Sequence, residues 1–224
     1  MKKKVVFGLV TALTVLLVAG GLYASNMGFK LNYVLDGQGN NGSATGTNTV
    51  ALPFNQQTDL IDANDLLLDI GGTTVVASIQ EFNRTTNGFS GYTGVSGTPF
   101  SLVPGDAYIV QLQAGVPSVN YIVVGSHDPG LVINFDGQGT NGSATGTNFY
   151  GYPYHSTSTA ADELITELGG TAAVASIQQF NRTTNGFTGY TGVSGTPFPL
   201  EPGKGYIVQL QAGVPGVSFV PSHF

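Results

Sequence analysis

The chain contains the same domain twice, and this repetition limits its fold more than any local pattern does. Residues 31–124 recur at residues 131–220. The segment 77–116 returns as 175–214 with only six of its 40 positions changed, and the glycine-rich run 36–48 returns as 136–148 with Thr140 for Asn40 as its only change. A period near 100 residues makes each copy one small domain with a modest core. We divide the chain into a leader (1–24), repeat 1 (25–126) and repeat 2 (127–224). Whatever surface one copy presents, the other presents too.

Each repeat reads as mainly β with one short helix. Phe29, Leu31, Tyr33 and Leu35 alternate with polar residues, and Val50, Leu52 and Phe54 do the same after the glycine-rich run. Leu60, Ala63, Leu67 and Ile70 follow at helical spacing, closed by Gly71 and Gly72. A β-branched segment, 74–82, runs into Asn87-Gly88, which predicts a hairpin returning through Phe89 and Tyr92. After the Pro104-Gly105 turn come a strand carrying Tyr108, Val110 and Leu112 and a last strand over 119–124. The expected fold is a β-rich α+β pair of tandem domains, each a small sandwich or open barrel of about six strands with one helix. Repeat 2 is two residues shorter just before its helix, which marks a loop.

Residues 1–24 carry three lysines, then an uncharged apolar stretch ending in small residues, the layout of a secretory signal peptide cleaved after Ala24. An uncleaved anchor is the alternative, since 5–24 is about long enough to span a bilayer. The expected location is outside the cell or in its envelope, with no membrane contact after cleavage. The whole chain has 7 basic and 13 acidic residues, so the mature domains are acidic and nucleic acid is not an expected partner. Without cysteine, the domains rely on packing alone.

The chemical motifs are weaker than they look. Gly37, Gly39 and Gly42 fit a dinucleotide fingerprint, but a strand follows where that motif needs a helix N-terminus. Asp36, Asn40 and Asn41, with Asp136 and Asn141 in the copy, offer oxygens for calcium, yet one carboxylate per loop is few. No cofactor is expected. Ser126-His127-Asp128 has the letters of a hydrolase triad, but consecutive residues cannot converge. The helical acids Asp59, Asp62, Asp65 and Asp69 read as a solvated face favoured by the helix dipole. Arg84 and Arg182, the only arginines, stand identically beside the hairpins; they either pin those turns or, with Tyr92 and Tyr190, contact a ligand such as a glycan.

The pattern FNRTTNGF followed by GTPFSLVPGDAYIVQL or GTPFPLEPGKGYIVQL resembles an exported bacterial module with an F-x-L-x-P-G-x-G-Y signature and no defined activity. It covers residues 48–112 and 148–210. Ala107 departs from the Gly-Tyr ending that Gly205-Tyr206 keeps. The resemblance implies secretion and a surface or matrix role. The expected function is therefore a non-catalytic extracellular protein acting through protein contacts and self-assembling through edge strands, with Phe29 and Leu31 at one end and Val217 and Phe219 at the other. A pair of carbohydrate-binding modules is the alternative, and an exported hydrolase the third.

Overall fold

A computed structural model describes residues 29–52, 55–56, 60–126, 128, 130–154 and 156–222. The leader, Phe54, Asp59, His127, His155 and His223 lie outside the described residues, as does the side chain of Phe29. Among the described residues the protein is mainly β, with four open sheets in two similar halves rather than a closed barrel.

Repeat 1 runs β1 (Phe29–Leu35), β2 (Thr47–Ala51), β3 (Asn55–Gln56), α1 (Ala63–Ile70), β4 (Val76–Asn83), β5 (Gly88–Tyr92), β6 (Ala107–Leu112) and β7 (Val119–Ser126). Repeat 2 runs β8 (Ile133–Asp136), β9 (Thr147–Gly151), α2 (Ala161–Glu167), β10 (Val174–Asn181), β11 (Gly186–Tyr190), β12 (Gly205–Leu210) and β13 (Gly216–Phe219). The large sheets have strand orders β2-β6-β4-β5 and β9-β12-β10-β11, and the small ones β1-β7-β3 and β8-β13, all antiparallel.

In repeat 1 one core joins both sheets and the helix. Leu31, Tyr33 and Leu35 of β1 with Tyr121 and Val123 of β7 meet Val50, Ile79, Tyr108, Val110 and Leu112 of the large sheet and Leu66, Leu67 and Ile70 of α1. Complete burial of each such aliphatic side chain contributes about 1.5–3 kcal/mol. Repeat 2 packs likewise but more aromatically, with Phe135, Tyr150, Tyr152, Phe198, Tyr206 and Phe219. Tyr150 stands where repeat 1 has Val50. Its hydroxyl is buried with no hydrogen-bond partner among the described residues, and burial keeps it un-ionised.

The helices start differently. Asp62 caps α1, accepting from the backbone N–H groups of Asn64 and Asp65, while the Asp65 carboxylate accepts from the Asp62 N–H. Ala160 stands at that position before α2 and supplies no side-chain cap. The helical acids therefore do more than face solvent, for Asp69 also accepts a hydrogen bond from the Tyr121 hydroxyl at 2.9 Å.

The hairpins form where the sequence places them but close differently. Asn83 pairs with Gly88, leaving a four-residue loop in which Asn87 alone is left-handed, at φ 50°. Asn83 Oδ1 accepts from the N–H groups of Thr85 and Thr86, which favours this loop over a two-residue turn. Arg84 is thereby carried beyond the sheet.

Candidate functional site: the seam between the repeats

β2 and β9 are buried along their whole length, and so are Ala107 and Ile109 of β6, which by alternation face away from their own core. What covers them is the other repeat. Ala107, Ile109, Phe149 and Ile207 form a third core, flanked by Phe82, Phe89 and Phe187. Phe89 and Phe187, equivalent residues of the two copies, stack with centroids 6.2 Å apart and planes 4° from parallel. They mark a pseudo-two-fold axis.

Around this apolar centre a set of polar contacts occurs twice. Arg84 pairs with Asp136 and Arg182 with Asp36. The Ala44 N–H donates to the Arg182 carbonyl at 2.9 Å, and the Ala144 N–H to that of Arg84 at 3.0 Å. Thr45 donates to Asn185 Oδ1 and Thr145 to Asn87 Oδ1, each at 2.8 Å. The Ala51 N–H reaches the Gly203 carbonyl at 2.7 Å, and the Gly151 N–H that of Gly105 at 2.8 Å. Each repeat thus inserts its hairpin into the glycine-rich loop of the other.

The loop is built as a socket. Gly37 admits no side chain, since a Cβ there would stand 1.9 Å from the Val116 carbonyl oxygen. Asn48 accepts from the Asp36 N–H and donates to the Asp36 and Gly46 carbonyls. Asn41 and Ser118 donate to one carboxylate oxygen of Asp36, and Arg182 holds the other. The Asp36 carboxylate is thus committed to protein donors, and Asn141 and Arg84 bind Asp136 in the same way. Asn40 closes the turn through its backbone, donating to the Gly37 carbonyl at 3.0 Å. Among the described residues no group of three or more His, Cys, Asp or Glu is placed to hold a metal ion.

The four proposed ligand contacts do not converge. Both arginines lie in the seam. Tyr92 is buried in the repeat 1 core with its hydroxyl on Asn64, and Tyr190 packs against the repeat 2 core. Leu31 points into the repeat 1 core from β1, an outer strand of its sheet; Phe219 and Val217 pack on the repeat 2 core from β13.

Beside the seam each repeat has a groove. That of repeat 1, about 480 Å³, is lined by Glu81, Phe82, Arg84, Val103, Asp106 and Ile133 among others, with a smaller recess behind it reaching Ser101, Ala107, Tyr108 and Phe149. The counterpart of the recess, about 180 Å³, has Gln179, Phe180, Arg182, Glu201, Lys204 and Tyr206. Of the six differences in the 40-residue block, five fall on the lining of the recess in repeat 1: Glu81, Ser101, Val103, Asp106 and Ala107. Asp106 lies 3.3 Å from Arg84, yet its pKa is pushed up to about 6, by burial first and then by Glu81 and Asp136 against the lowering effect of Arg84. Lys204, in its place in repeat 2, is held below the usual lysine range by burial and by Arg182.

The seam had a sequence signal. Ala107-Tyr108-Ile109-Val110 is continuously apolar, as a strand covered on both faces must be. Among the described residues no helix is long and apolar enough to cross a membrane. Comparison with known protein families, curated proteins and solved structures finds no match to this chain.

Proposed function

We propose that the chain is an exported, non-catalytic surface or extracellular-matrix protein that acts through protein contacts. The carrying observation is the part of the identical sequence that the seam leaves outside. The loop TGVSGTP stands at residues 93–99 and again at 191–197, and it holds Val95 and Val193 each 89% exposed. Both loops are stapled, with the Ser96 N–H on Thr93 Oγ1 and the Ser194 N–H on Thr191 Oγ1, each at 3.0 Å. The seam fixes the two repeats as one body, so two identical apolar tips are presented together, and a repetitive partner is engaged with avidity. The signal-like leader, the acidic low-charge composition and the resemblance to exported modules support the same reading.

The test is fractionation of bacteria expressing the full chain, then size-exclusion chromatography and electron microscopy of residues 25–224 at high concentration. We expect export and concentration-dependent association, weakened at least tenfold by Val95→Ser with Val193→Ser and without a change in Tm. A chain retained in the cytoplasm, or one that stays monomeric and free of filaments, overturns the reading.

A further inference from the structure

The seam is almost symmetric, and its departures from symmetry lie close to the axis. A Cβ on Gly205 would stand 2.6 Å from the Ala107 Cβ and 2.9 Å from the Phe149 ring. Thr49, the counterpart of Phe149, instead accepts a hydrogen bond from the Gly205 N–H at 3.2 Å. One copy supplies the methyl group and the hydroxyl, and the other supplies the space and the ring.

We propose that the seam face of each repeat also docks a second copy of this chain, always pairing repeat 1 with repeat 2. This rests on the contact-protein reading and names one partner, the chain itself. Every contact across the seam is non-covalent, and none depends on both repeats belonging to one molecule. The tie between them lies between Ser126 and Ile133, where Asp128 accepts from the N–H groups of Gly130 and Leu131. When that tie is extended, the hairpin and loop of one chain meet the loop and hairpin of another with the same partners.

Pairing is restricted to unlike repeats by the contacts at the axis. Two copies of repeat 1 would bring Ala107 against Ala107 at the separation that forbids a Cβ at 205. Two copies of repeat 2 would put a second Phe149 where Thr49 stands and leave the Gly205 N–H without its acceptor. Exchange is therefore head to tail: it closes as a two-chain ring or continues as an open chain of molecules.

The chain has no cysteine, so single cysteines report the pairing cleanly. Thr45→Cys chains are unfolded and refolded at high concentration with an equal amount of Asn185→Cys chains, or of Asn87→Cys chains, and then oxidised. Thr45→Cys with Asn185→Cys in one chain, refolded dilute, shows that the pair can bridge. We expect covalent dimers between Thr45→Cys and Asn185→Cys chains at least tenfold above those between Thr45→Cys and Asn87→Cys chains, which report like-with-like pairing. Equal yields in the two mixtures overturn the polarity. A bridge that closes within one chain and never between chains overturns the exchange. In that last case filaments of the unmodified protein would still uphold the contact-protein reading through another surface, whereas cytoplasmic retention would overturn that reading whatever the cross-links show.

Discussion

The two repeats agree where they grip each other and differ in the grooves alongside. The hairpin at 83–88 is identical to that at 181–186, and the glycine-rich loops differ only at 40 and 140, because each copy uses both parts in the same joint. Five of the six differences in the 40-residue block line the recess of the repeat 1 groove. One of them, Ala107 against Gly205, also lies in the seam core, where two equal side chains would meet. Duplication repeats the contacts off the axis and forces a division of roles at it.

The largest test of this comparison is to remove one arginine at a time. The Asp36 side chain is 2% exposed, so Arg182→Met leaves a buried carboxylate with Asn41 and Ser118 as its side-chain donors. We expect a loss of about 3 kcal/mol, a fall in Tm of roughly 6–12 °C. Arg84→Met leaves Asp136 facing Asp106 as well, and its cost should grow from pH 5 to pH 8 as Asp106 ionises. Urea titrations at the two pH values decide it; losses below about 0.5 kcal/mol would reduce both pairs to surface ion pairs.

Gly205→Ala comes next and makes repeat 2 copy repeat 1 near the axis. The methyl group has no room between Ala107 and Phe149, so the change should cost about 1–3 kcal/mol. Ala107→Gly alone should cost under about 1 kcal/mol, and the double substitution should recover part of the first loss, since the two sites share one space. Purely additive losses would mean that 107 and 205 do not constrain each other.

These residues also show where sequence reading stops. Strands, helix and hairpins were legible because Tyr108, Val110 and Leu112, or Ala63, Leu67 and Ile70, carry their period locally. The seam was legible only as the unbroken apolar run from Ala107 to Val110, which says that the second face of β6 is covered but not by what. Nor does a duplication say whether Arg84 belongs with Asp36 of its own copy or Asp136 of the other. That choice is made by packing across 52 residues of chain, which no local pattern encodes.

A smaller contrast lies in the helix starts. Asp62→Ala should cost about 1 kcal/mol, because two N–H groups of α1 lose their acceptor. Ala160→Asp should return about half of that to α2, whose first turn already carries Asp162 and Glu163 and will resist a third carboxylate. Thermal melts of the two variants against the parent measure both, and a stabilising Asp62→Ala would break the comparison.

The smallest effect separates the two grooves by pH. The folded-state pKa of Asp106, about 6, lies above its ordinary value of 3.8, so the folded chain holds the proton more tightly than the unfolded one. The stability this gives is complete below pH 3.8 and is lost as pH rises through about 6. Asp106→Asn keeps a neutral group there and should therefore stabilise at pH 8, by under about 1 kcal/mol for a side chain 37% exposed, and change little at pH 4. Lys204 shifts the other way: burial disfavours its charge, so it weighs on the fold throughout neutral pH and Lys204→Met should stabilise equally at pH 5 and pH 8. A pH-dependent gain at 106 beside a flat gain at 204 would show that the two grooves, equivalent in position, have become electrostatically different sites; parallel profiles would return them to one.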